Sequence, residues 1–135
     1  MDTEFERFLT DISDAFIDRK FDQWRDRLIL PFSLVTKLKP IVLATEDAVR
    51  DSFHQYLVAA KMMNLDLIDR VPISLEACPD GTWLGTFRTR MLSGAHLATA
   101  PYTSTALLHN AEGRFRMSSM LNARGHQDWT GVEEA

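Results

Sequence analysis

The feature that most constrains this chain is a change of hydrophobic period part-way along it. Apolar residues recur at helical spacing as far as Asn64 and at every second position from Leu65 onward. A helical half followed by a strand half predicts an α+β domain in which amphipathic helices cover one face of a sheet. Thr3 and Glu6 have the spacing of a capping box, and Phe5, Phe8, Leu9, Ile12 and Phe16 share one face of the helix that follows. A shorter helical pattern gathers Phe21, Trp24 and Leu28 and is expected to end at Pro31. Residues 32–36 and 41–43 read as two short strands joined by a tight connection. Thr45 then caps a third helix whose buried face is Val49, Phe53, Tyr56, Leu57 and Ala60, and Asn64 suits its left-handed terminator.

In the second half, Leu65, Leu67, Val71, Ile73 and Leu75 fall on one side of a long strand, expected to be the buried side, against Asp66, Arg70, Ser74 and Glu76. Pro79-Asp80-Gly81 supplies the turn, and the return strand is expected to point Trp83, Phe87 and Met91 inward and Arg88 and Arg90 outward. A further strand is expected over about 99–109. After the turn at 110–113, the last strand alternates Phe115, Met117, Leu121 and Ala123 with Arg114, Arg116 and Arg124. Residues 1–128 are thus expected to form a single domain and 129–135 a polar C-terminal tail.

Composition narrows the partners. Fifteen basic residues against nineteen acidic give a net charge of −4, which offers no field to gather nucleic acid or an anionic membrane. No apolar run reaches the roughly 18 residues a membrane span requires. A single cysteine, Cys78, excludes an internal disulfide, and with an N-terminus lacking an apolar signal segment a cytoplasmic setting is expected.

The order of elements, two helices, a short β-hairpin, a third helix and a meander of long strands, resembles the nuclear transport factor 2-like superfamily, including its SnoaL-like (polyketide-cyclase-like) members. Local resemblance lies in Phe21-Asp22-Gln23-Trp24, in Pro31-Phe32-Ser33-Leu34-Val35-Thr36 and in Thr45-Glu46-Asp47-Ala48. It extends over nearly the whole chain. It implies three helices packed on a strongly curved antiparallel sheet, a cone or cystatin-like roll, with a ligand pocket at the open end and dimerisation through the outer sheet face. Ketosteroid-isomerase-like members carry a tyrosine and two acids where this chain has Ile12, Thr36 and Thr103, so the resemblance does not bring that proton-transfer chemistry with it.

Among polar residues, Asp69 interrupts the apolar side of its strand. It either faces the cone as an acid or base, assisted by Tyr102 or His109, or is turned to solvent or paired with an arginine. Phe16, Trp24, Phe53, Tyr56, Trp83, Phe87, Tyr102 and His109 are the candidate ligand-binding residues, with Met62 and Met63 as further apolar lining; ordinary core is the alternative for the apolar ones. His54, His96, His109 and His126 lack a compact metal-ligand spacing, so neither metal nor other cofactor is expected. Cys78 has no sequence neighbour that would activate it. The outward arginines Arg88, Arg90, Arg114, Arg116 and Arg124, mixed with Leu84, Leu92 and Met120, suit a homodimer interface. These residues suggest a dimeric domain holding a small apolar or amphipathic molecule; a lyase or isomerase using Asp69 and a dimeric protein-interaction module are the alternatives.

Overall fold

The computed structural model describes residues 2–125 and Trp129. His126 and the tail beyond Trp129 lie outside the described residues. The first helix, α1 (Thr3–Ile17), starts one residue earlier than a Thr3 cap would set it, because Asp2 accepts the Phe5 N–H at 3.0 Å. Phe5, Phe8, Leu9, Ile12 and Phe16 are all buried, as the spacing predicts. The second helix, α2 (Phe21–Arg25), is a single short piece. Strand β1 (Leu28–Val35) begins before the expected stop and carries Pro31 within it after a cis Leu30–Pro31 bond. It pairs with β2 (Pro40–Leu43).

The third helix, α3 (Glu46–Met62), is capped by Thr45, whose hydroxyl accepts the Ala48 N–H. Asn64 follows in the left-handed region at φ 53°, where its short polar side chain is tolerated. The remaining strands are β3 (Leu67–Ala77), β4 (Trp83–Ser93), the two-residue β5 (His96–Leu97), β6 (Tyr102–Ala111) and β7 (Arg114–Leu121). Among the described residues they form one sheet ordered β2-β1-β7-β6-β4-β3, with β5 beside β4. Pairing is antiparallel except between β1 and β7, which run parallel, so the sheet is mixed. The helices cover its concave face.

Two registers differ from the sequence expectation. On β3, Ile68, Arg70 and Pro72 lie opposite the buried Met91, Thr89 and Phe87 of β4, so they face inward. Leu67, Val71 and Ile73 are 45%, 46% and 51% exposed on the outer face. On β7, an irregularity opposite Leu107 and Leu108 shifts the alternation. Met120 is therefore buried and Leu121 half exposed, the reverse of the expected pattern.

Arg27 locks the helices to the sheet. It is fully buried between α2 and β1; its Nε and Nη2 donate to Asp11 at 2.9 and 2.7 Å, and its Nη1 donates to Glu4 at 2.6 Å and to the Phe115 carbonyl at 3.0 Å. Glu4 also accepts the Phe115 N–H at 2.8 Å, so one carboxylate joins α1 to both Arg27 and β7. At this end Gly85 is required by close approach: a Cβ there would stand 2.7 Å from the Phe5 ring.

Candidate functional site

A cluster of aromatic rings gathers where α1 ends, beside α3 and the last residues of β7. Phe16 is the hub of this region. Its ring lies 4.8 Å from Trp24, 4.9 Å from Phe53 and 5.5 Å from Tyr56. Trp129, the first residue of the expected tail, is only 3% exposed and packs 5.6 Å from Phe16 and 4.7 Å from Tyr56. The core therefore extends to Trp129, because an indole of that size is more stable under the helices than in water.

A cavity of about 20 Å³ remains between these rings and the sheet, room for about one water molecule. Phe16, Trp24, Tyr56 and Tyr102 line it, together with Arg70, Arg124 and Trp129. Of the candidate ligand-binding residues, these first four are brought together and the others are not. Phe53 stacks behind Phe16 and Phe87 is core beneath β3. Trp83 packs against Phe115 instead, at 6.3 Å. His109 alternates out of the buried set of β6 and its Nε2 lies 2.8 Å from the Ser118 hydroxyl, on the outer face. Met62 is 68% exposed on α3, away from the cone, and Met63 packs partly against the core.

Asp69 is also on the outer face, and this corrects its candidacy as an acid or base in the cone. It lies opposite Arg90, whose Nε donates to its carboxylate at 3.1 Å and whose Nη2 makes a second, shorter bond. The same alternation that exposes Leu67 and Val71 carries Asp69 out and turns Arg70 in.

Arg70 is the polar group that sequence reasoning placed on the wrong face. Arg70, Thr89 and Tyr102 stand in register across β3, β4 and β6 and point inward together. Arg70 Nη1 donates to the Ile12 carbonyl at 2.9 Å and contacts the Ser13 hydroxyl at 3.3 Å. Its Nε is enclosed without a hydrogen-bond partner among the described residues, although the residue as a whole is half-buried. No carboxylate pairs with it among the described residues. Burial pulls its proton affinity below the ordinary value, against the opposing influence of Tyr102 and Tyr56; a guanidinium nevertheless stays charged.

Two more donors, the buried Thr89 Oγ1 and the Trp129 Nε1, have no partner among the described residues. Tyr56 donates to the Arg124 carbonyl at 2.7 Å, and the Arg124 guanidinium lies over the Tyr102 ring at 4.6 Å. Arg124 therefore belongs to the cavity rather than to the outer face, where Arg88, Arg90, Arg114 and Arg116 remain. Among the described residues no three His, Cys, Asp or Glu side chains come together as metal ligands, and no helix is long and apolar enough to cross a membrane.

No family model matches the chain, and no curated protein matches it significantly. Solved structures do. A nuclear transport factor 2-like protein of unknown function from Shewanella oneidensis superposes with a TM-score of 0.67 at 10% identity, over 87% of this chain and 94% of that one. A domain of unknown function with a cystatin-like fold from Nostoc punctiforme gives 0.65 at 10% identity, over 89% and 74%. A putative calcium/calmodulin-dependent protein kinase type II association domain from Thiobacillus denitrificans gives 0.64 at 15% identity, over 86% and 90%. With three helices laid on one curved sheet in this strand order, the chain has the nuclear transport factor 2-like, cystatin-like fold.

Proposed function

We propose that the chain is a non-catalytic binding module that holds a small, mainly apolar or amphipathic molecule in its cone and associates as a homodimer through the outer sheet face. The observation that carries the reading is the chemistry of the cavity lining. Aromatic rings supply the walls, and the polar groups are arginines, an indole N–H and phenols. No carboxylate or imidazole stands among the described lining residues. Such a lining recognises an acceptor-bearing molecule but offers no group that exchanges a proton near neutral pH. With Asp69 held by Arg90 outside the cone, the lyase or isomerase alternative has no acid or base at the cavity among the described residues.

The homodimer is supported by apolar residues exposed on the outer face, Leu67, Val71 and Ile73 on β3 and, three strands away, Leu121 on β7 at 48% exposure. Exposed apolar side chains on a sheet face suit an association site, and one structural neighbour is itself described as an association domain. One observation favours the second reading, an interaction module with no ligand: the cavity is only about 20 Å³. A thermal-shift panel of small apolar and amphipathic molecules separates the two. A raised Tm with at least one molecule supports the binding module; no shift at millimolar concentration favours the interaction module. Sedimentation velocity at micromolar concentration tests the dimer, which a monomeric mass contradicts.

A further inference from the structure

We infer that the molecule held in the cone is an anion, a flat aromatic carboxylate whose ring takes the place of the Trp129 indole and whose carboxylate is received by Arg70. This rests on the ligand-binding reading above and names its ligand class. Arg70 presents an enclosed Nε that has no hydrogen-bond partner among the described residues, and its in-register neighbour Thr89 presents a buried hydroxyl in the same condition. Arg124, a second cation, lines the same cavity. The Arg70 guanidinium donates to neutral oxygens, the Ile12 carbonyl and the Ser13 hydroxyl, and meets no carboxylate among the described residues; an anion would complete such an enclosed cation, and the flat fork of donors matches a carboxylate.

Shape restricts the ligand independently of charge. About 20 Å³ admits no organic ligand while the indole is in place. Trp129 already shows what the walls accept, since Phe16 and Tyr56 hold its ring at 5.6 and 4.7 Å. A planar ring of similar size fits where the indole stands, and Arg70 lines the same cavity.

The test is calorimetric titration with indole-3-carboxylate and its neutral amide, against the wild-type chain, Trp129→Ala, and Trp129→Ala with Arg70→Gln. The carboxylate is expected to bind Trp129→Ala at least tenfold more tightly than wild type, and at least tenfold more tightly than the amide does. Arg70→Gln is expected to erase that preference for the acid. Trp129→Leu, which keeps more apolar burial, guards against a failure of the alanine variant to fold and is expected to show the same order, as is the weaker binding to wild type. Equal binding of acid and amide, or a preference that survives Arg70→Gln, overturns the anion while leaving a ligand-binding cone. Binding of neither molecule to any folded form overturns both.

Discussion

Arg70 and Thr89 stand directly opposite each other on β3 and β4, both turned into the cone, and neither the Arg70 Nε nor the Thr89 Oγ1 has a hydrogen-bond partner among the described residues. A buried hydroxyl left unmatched is desolvated without compensation. Thr89→Val replaces it with a methyl of nearly the same shape. The variant is expected to be as stable as the wild type or more stable by up to about 1 kcal/mol in urea unfolding. A loss of 2 kcal/mol or more would show that the hydroxyl is structurally engaged.

Asp69→Asn is expected to change little. Its ion pair with Arg90 is exposed, with 32% of the aspartate and 50% of the arginine side chain open to solvent. Pairs of this kind contribute about 1 kcal/mol at most. The Tm should stay within a few degrees of wild type, and any ligand found for the cone should bind unchanged; a tenfold loss of affinity would return Asp69 to the site.

Arg27→Met is expected to be severe. The guanidinium is fully buried and joins Asp11, Glu4 and the Phe115 carbonyl, so its loss leaves two carboxylates without their shared cation. Breaking a buried pair costs about 3–5 kcal/mol, readable as a lowered urea midpoint.

Glu4 ties stability to pH. Partial burial alone would raise its carboxyl, but the Phe115 N–H and the Arg27 guanidinium outweigh that and hold it below the ordinary 4.5. Its contribution is present above 4.5 and is lost as pH falls through the depressed folded value. Urea midpoints measured from pH 7 to pH 3 should decline below about 4.5 and should decline less steeply in Glu4→Gln.

These groups were unequally legible in the sequence. The helices were readable because Phe5, Phe8, Leu9, Ile12 and Phe16 have no competing face, and all five are buried. On β3 both parities carry apolar residues: Leu67, Val71 and Ile73 on one, Ile68 and Pro72 on the other. Alternation alone cannot choose between two such strips, and the richer strip lies outside. That choice of phase moved Asp69 out and Arg70 in. Leu121 was misassigned for a related reason, since the irregularity in the β6–β7 pairing leaves no local mark in the sequence. Phe16, Trp24, Tyr56 and Tyr102 line the cavity because each lies in phase with its element's buried side. Arg27 carried no signal, because its partners Glu4, Asp11 and Phe115 are brought together only by the fold.

The central claim is that the cone holds a small molecule among its aromatic walls and unmatched donors. Native mass spectrometry of the gently purified chain, followed by denaturation and analysis of whatever is released, tests it most directly. The account predicts a dimer carrying a released small molecule of acidic, aromatic character. A clean chain without added mass, unchanged after incubation with indole-3-carboxylate at millimolar concentration, would contradict it.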